Sequence, residues 1–453
     1  MNSLKIGISG VRGVVGETFT PELAVAFAQA LGTYLDAGRI LVCRDTRASG
    51  PMVRAAVVSG LLAAGCEVID LGVCPTPSLQ LAVPWLGAEG GISITAGHNP
   101  EPWNALKFVR ADGLYLNATQ ADELLDIFHQ GEFSKATWEH IQSGVAREDA
   151  VPRHLDVLSR AFDVDAVRAR RLRVAVDCCN SSCSLLSPRW LGALGCDVLA
   201  VNDDPEAPFP HAPEPNRRTM TQLRAVVLAG RAHVGFAHDA DGEWLGLVTE
   251  TGEILSEEAT LAVACEIRLR REVGPVVTNV STSAAIERVA ARHGASVIRT
   301  PVGQAYVSEA MIEAGAVVGG EGNGGVMYPR VNFARDSLVG MALVLHLLAE
   351  TGRTVSELLA ELPRSFMVKE KLACRSDRIR AALAAVRDAY AGLPMDLRDG
   401  VKVTTPDGWL LVRGSNTEPI IRVVAEAETE ARARTLVERV TALVRARLES
   451  DGG

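Results

Sequence analysis

Short runs rich in β-branched residues alternate with amphipathic stretches along this chain, and the alternation restarts until it has filled four segments. Such alternation builds α/β layers around mostly parallel sheets. The first segment, residues 1–150, has a strand from Leu4 to Ser9 and a helix opening at Pro21 and ending near Gly38. Pro is favoured in a first helical turn, where its missing N–H costs nothing. A strand at Ile40 to Cys43, a helix after Pro51 and a strand at Gly90 to Ile94 then lead into the loop TAGHNP (95–100), and the polar stretch from Gly131 to Arg153 reads as a linker.

The second segment, 151–250, places strands at Leu172 to Val176, Asp197 to Val201 and His233 to Ala237 around a helix at Leu185 to Leu194, and stops at HDADGEW (238–244). The third, 251–364, repeats the scheme with strands at Val276 to Val280 and Ser296 to Thr300 and helices after Ser281 and from Gln304, and its last strand enters GGEGNGGV (319–326). The fourth, 365–453, differs: a strand, a helix, two strands joined through Pro406-Asp407-Gly408, the loop RGSNTEP, a strand at Ile420 to Ala425 and a closing helix rich in Arg and Glu. The expectation is three similar αβα-layered domains and a smaller C-terminal α+β domain. Ligands of α/β sheets bind at the carboxyl ends of the strands, where these loops lie.

Composition excludes several classes. With 47% apolar and 22% charged residues the chain reads as globular. A net charge of −9 argues against nucleic acid as a partner. The longest uncharged apolar stretches, near Ala55 to Gly65 and Ser337 to Leu348, are short of a membrane span, so no membrane partner is expected. The N-terminal MNSLKIGISGVRG lacks the apolar core and cleavage site of a secretory signal. The nine cysteines show no zinc-like pairing. Buried free thiols in a reducing, cytoplasmic compartment follow.

The chemistry-bearing loops are specific. Arg413 to Arg422, RGSNTEPIIR, joins two guanidinium groups to Ser415, Asn416 and Thr417 in a turn whose backbone N–H groups can nest an anion. A phosphate monoester suits it. This loop resembles the phosphate-binding loop of the α-D-phosphohexomutases, usually RPSGTEP followed by an arginine. The other signatures stand in that family's order: GISGVRG (7–13), CRDTRASG (43–50), the active-site loop TAGHNP, the metal loop HDADGEW and the sugar-specificity loop GGEGNGGV. The forms EGNGG and PWNALK (102–107) most resemble phosphoglucosamine mutases.

The resemblance implies four domains around a central cleft, a phosphosugar ligand, one Mg²⁺ and a monomer or homodimer. It assigns sugar binding to Glu321 and Asn323, general acid/base work to Lys107, and support of phosphate or of the active-site loop to Arg12 and Arg47. Such a lysine is expected to have its pKa lowered toward neutrality by burial or neighbouring cations. Mg²⁺ would be held by Asp239, Asp241 and Glu243. The glycines of the sugar loop would let backbone approach the ring.

The pattern breaks at its centre. The family carries phosphate on a serine, and this chain has Gly97 there, followed by His98. Covalent transfer needs a nucleophile, and Gly97 has none. The third metal-loop aspartate is Glu243, and the arginine after it is Trp244. Three functions stay open: a mutase of hexose or glucosamine phosphates with another carrier or an added bisphosphate, a silent phosphosugar-binding homologue, and a phosphatase using Asp239 and Asp241. A bisphosphate that must turn over also implies a moving last domain, with a hinge near Pro363.

Overall fold

A computed structural model describes residues 4–8, 10–142, 145–362, 365–415 and 420–450. The expected hinge at Pro363 lies outside them, as do Asn416 and Thr417. Four sheets are present. The first has seven strands in the order Lys5–Gly7, Gly10–Val14, Trp103–Arg110, Gly90–Ile94, Arg39–Arg44, Glu67–Val73 and Ala146–Arg147. The second runs Leu245–Thr249, Val234–His238, Arg173–Asp177, Asp197–Val201, and the third Val297–Thr300, Val276–Asn279, Val318–Glu321, Gly325–Tyr328, Asn332–Arg335. The fourth, Phe366–Ala373, Ile420–Ala427, Gly408–Gly414, Val401–Thr405, Met395–Asp396, is antiparallel throughout.

The first three sheets are mixed, the second with two parallel pairings and one antiparallel. In each, parallel central strands are continued by an antiparallel partner beyond the functional loop: Gly90–Ile94 pairs antiparallel with Trp103–Arg110, Val234–His238 with Leu245–Thr249, and Val318–Glu321 with Gly325–Tyr328. Each loop is therefore a hairpin connection, too short for a helical crossover. The polar stretch expected as a linker holds a short strand, Ala146–Arg147, paired to Ile69 and Asp70. The expected helix at Leu185 to Leu194 is split into a 3₁₀ turn, Ser182–Leu185, and the helix Ser187–Ala193.

Helix starts follow local chemistry. Thr20 accepts from Leu23 N ahead of Pro21–Tyr34, and Asn117 with Gln120 forms a capping box ahead of Ala118–Gln130. One apolar core runs through the first three sheets, including Leu41, Val174, Phe236, Val276 and Leu345, while the last sheet builds its own from residues such as Val403, Leu410, Ile421 and Val437. All nine cysteines are free, and all but Cys196 are buried. Among the described residues, no single helix is long and apolar enough to cross a membrane.

Two histidines sit in this interior. His238 lies between the hydroxyls of Ser187 and Ser337, each 2.8 Å from a ring nitrogen, and burial lowers its pKa to about 4. Burial, with Arg271 adding to it, lowers His346 to about 4 as well. Both rings are neutral in the fold and charge in the unfolded chain near pH 6.5, so the unfolded state binds more protons between pH 6.5 and 4 and stability falls on acidification through that window. Each full shift corresponds to about 3 kcal/mol. Urea unfolding midpoints should drop from pH 6.5 to pH 4.5, with a shallower drop in His238→Asn; equal slopes in the two proteins would contradict a neutral buried His238.

Candidate active site

The loop 95–100 leaves the strand Gly90–Ile94 and is clamped from behind. Buried Arg47 donates to Gly97 O (2.7 Å), Asn99 O (2.7 Å) and Pro100 O (2.8 Å), and its Nε pairs with Asp45 at 3.0 Å. Arg47 thus supports the loop, one of the two roles expected of it. Thr95 Oγ1 donates to Asp45 Oδ2 (2.6 Å) and accepts from Gly97 N (3.0 Å). Arg12 reaches the same loop through Asn99 Oδ1 at 3.2 Å.

Gly97 has φ +53°, the left-handed region that a side chain disfavours. A Cβ built there would lie 3.2 Å from Asp241 Oδ1 and 3.5 Å from Asp239 Oδ2. The position where the family carries its serine therefore points between the two aspartates of the metal loop. Asp239 Oδ1 is held by the backbone N–H groups of Glu243 and Trp244 at 2.9 and 3.0 Å, which fixes the loop's turn. Asp241 Oδ2 accepts from Lys107 Nζ (2.5 Å) and Thr76 Oγ1 (3.0 Å), whereas buried Asp241 Oδ1 has no hydrogen-bond partner among the described residues.

Glu243, expected as a third ligand, is held by protein partners. Its carboxylate turns to Tyr115 Oη (2.5 Å), Lys107 Nζ (2.9 Å) and Arg335 Nη2 (2.7 Å). Among the described residues, no three His, Cys, Asp or Glu side chains are grouped to hold a metal. Two carboxylates still fit Mg²⁺, which commonly takes one or two from protein and completes its octahedron with water and phosphate oxygens. The orphaned Asp241 oxygen and its neighbour Asp239 are hard donors facing one point. Burial and the charge of Asp241 push the Asp239 pKa well up, while burial of Asp241 is outweighed by Lys107, which holds it at about 2. A cation would relieve this repulsion.

Lys107 also differs from expectation. Burial acts to lower its pKa, but Asp241 and Glu243 outweigh burial and raise it. Its two carboxylate partners thus favour the ammonium.

Glu321, at the end of Val318–Glu321, accepts from Asn279 Nδ2 (2.7 Å), Gly303 N (3.1 Å) and Arg335 Nη1 (2.6 Å). Arg335 thereby bridges the metal loop and the sugar loop. Asn323 caps its own turn by accepting from Gly325 N at 3.1 Å. The loop's glycines answer to neighbouring protein: a Cβ on Gly322 would meet the Glu258 carboxylate at 2.0 Å.

His98 stacks on Trp244, ring centroids 4.0 Å apart and 12° from parallel. Burial first, then Arg12, Lys107 and Arg422, holds its pKa well below the usual histidine range. Arg422 of the last sheet thus acts electrostatically on the active-site loop. Arg413, in register with Arg422, gives its Nε to Asp399 at 3.1 Å and has an unpartnered Nη2 among the described residues. Ser415 N donates to Ile420 O at 2.9 Å.

Sequence reasoning missed Arg335, Tyr115, Thr76 and Asn279. Arg335 left one trace, a guanidinium directly after the apolar pair Phe333-Ala334 in a short strand.

Profiles of the phosphoglucomutase/phosphomannomutase alpha/beta/alpha domains I, II and III match residues 3–135, 152–252 and 256–366, and that of the C-terminal domain matches 368–443. The chain belongs to the phosphoglucomutase/phosphomannomutase family. A probable phosphoglucosamine mutase of Methanopyrus kandleri is 40% identical over 446 residues, 97% of each chain. A phosphoglucomutase/phosphomannomutase of Thermococcus kodakarensis is 38% identical, covering 95% of this chain and 96% of its own. The crystal structure of a putative phosphomannomutase from Thermus thermophilus superposes with a TM-score of 0.84 at 26% identity, covering 98% of this chain and 99% of its own. These relatives carry the names of isomerase-class phosphotransferases, and the four-domain fold is theirs.

Proposed function

We propose that this chain interconverts the 1- and 6-phosphates of a hexose, glucosamine first among candidates, using a hexose 1,6-bisphosphate as phosphoryl source. The observation that carries this reading is the convergence of Lys107, Asp239 and Asp241 beside Gly97, with Arg335 joining Glu321 of the sugar loop to Glu243 of the metal loop. An inert homologue would have no need to keep four buried carboxylates and their cations together, since such groups are expensive to desolvate.

Asp239 and Asp241 would hold Mg²⁺, which supplies charge stabilisation to a transferring phosphoryl group when bound. Asp241 and Glu243, the latter held by Tyr115 and Arg335, orient Lys107, whose ammonium gives a proton to a departing sugar oxygen and, as the free amine, accepts one from an attacking hydroxyl. Glu321 has its oxygens fixed for the ring hydroxyls, and Arg413 and Arg422 would hold the non-reacting phosphate in the last domain. We divide these duties among domains at residues 150, 250 and 364.

Purified protein with Mg²⁺ and glucose 1,6-bisphosphate should interconvert the two glucosamine phosphates, followed by phosphorus NMR. No conversion of glucosamine, glucose or mannose phosphates would defeat the reading. Arg413→Ala should raise KM by roughly 10- to 100-fold, since one charge-assisted contact to phosphate is lost. Gly97 favours a second reading, a phosphosugar-binding homologue without turnover; saturable binding with no conversion would select it.

A further inference from the structure

Three side chains in or beside the active-site loop could carry a phosphoryl group in place of the missing serine, and the structure separates them. Thr95 is fully buried, with its hydroxyl engaged by Asp45 and by Gly97 N. Ser93 is buried between Thr76 (2.8 Å) and Cys43 (3.4 Å). His98 is different. It is partly exposed, its ring is held flat against Trp244, and neither ring nitrogen has a hydrogen-bond partner among the described residues. A histidine fixed by stacking on Trp244, its ring nitrogens without protein partners among the described residues and in the field of Arg12, Lys107 and Arg422, is arranged to receive an anionic group.

Resting on the mutase reading above, we infer that His98 is the phosphoryl carrier of this chain, accepting phosphate on a ring nitrogen from a hexose 1,6-bisphosphate and passing it to a hexose monophosphate.

In the first half-reaction an unprotonated ring nitrogen attacks phosphorus. The N–P bond forms as the P–O bond to the sugar breaks, the departing sugar oxygen takes a proton from the Lys107 ammonium, and the ring keeps its own proton on the other nitrogen. In the second, a sugar hydroxyl attacks phosphorus and gives its proton to Lys107, and the N–P bond breaks to return the ring unchanged. Trp244 is the positioning residue. Its indole stands where the family has an arginine, and it sets the plane in which the imidazole presents its nitrogens. The loss of the serine and the replacement of that arginine are then linked changes.

The test incubates the full chain and Mg²⁺ with glucose 1,6-bisphosphate labelled with ³²P on both phosphates, maps the label, and assays turnover in parallel. The expected label is stable to alkali and lost in mild acid, unlike phosphoserine or phosphothreonine, and maps to His98. His98→Asn should abolish the label and lower turnover on the order of a thousandfold or more, as removal of a covalent nucleophile does. Its melting temperature should match the parent's. Trp244→Phe, which keeps a stacking ring, should retain the label, and Trp244→Ala should accept it more slowly. Turnover that survives His98→Asn, or an acid-stable label, overturns the carrier and leaves the mutase reading standing. A label on His98 without conversion shows acceptance without transfer and overturns both the carrier and the mutase reading. Absence of both label and conversion overturns the two together.

Discussion

Gly97→Ser is expected to create a second phosphorylation site and to raise mutase turnover over the parent by about a hundredfold or more. The estimate follows from position: misplacing a reacting group by about 1 Å costs roughly a hundredfold. A side chain at residue 97 would direct its Cβ to 3.2 Å from Asp241 Oδ1 and 3.5 Å from Asp239 Oδ2. The first contact is tight by a few tenths of an ångström, but it is with the end of a side chain. The φ of +53° adds strain of about 1–2 kcal/mol for a non-glycine residue. The new label should be acid-stable and alkali-labile. The double variant Gly97→Ser, His98→Asn should keep turnover, because serine then replaces the imidazole. An unlabelled serine would mean that the two aspartates do not mark the transfer point.

Arg335→Met should produce the largest loss of stability, about 3–5 kcal/mol, as removal of one partner from a buried ion pair does. The guanidinium contacts Glu243 at 2.7 Å and Glu321 at 2.6 Å, and both carboxylates are almost fully buried. Methionine fills similar volume but leaves two acidic groups without their shared cation. Arg335→Lys keeps the charge but loses the fork that spans both carboxylates. It should recover part of the stability while KM for the sugar phosphate stays raised. Urea unfolding and initial-rate kinetics measure the two effects. A Met variant within about 1 kcal/mol of the parent would show that Arg335 is dispensable to the carboxylate pair.

Most of the architecture was legible because the apolar periodicity and the six signature loops are local signals. The antiparallel strands after those loops were harder to see. Trp103–Arg110 and Gly325–Tyr328 are fully or nearly buried, like parallel strands, so alternation did not betray their direction. At the site, Asp239, Asp241, Lys107 and Glu321 could be placed by their loops. The partners of Glu243 could not, because Tyr115 and Arg335 are 128 and 92 residues away and meet it only in the fold. The direction of the Lys107 shift was missed for the same reason: two carboxylates from another domain outweigh its burial.

The seam between the last two domains has one more property. A single oxygen, Asp399 Oδ2, accepts from Val302 N of the third domain at 2.9 Å and from Arg413 Nε at 3.1 Å. On the proposed function, a phosphate settling on Arg413 would compete for the guanidinium that helps keep this carboxylate in place. Cargo and latch would thus share one guanidinium, and the arrival of a ligand would be reported to the door in the act of being held.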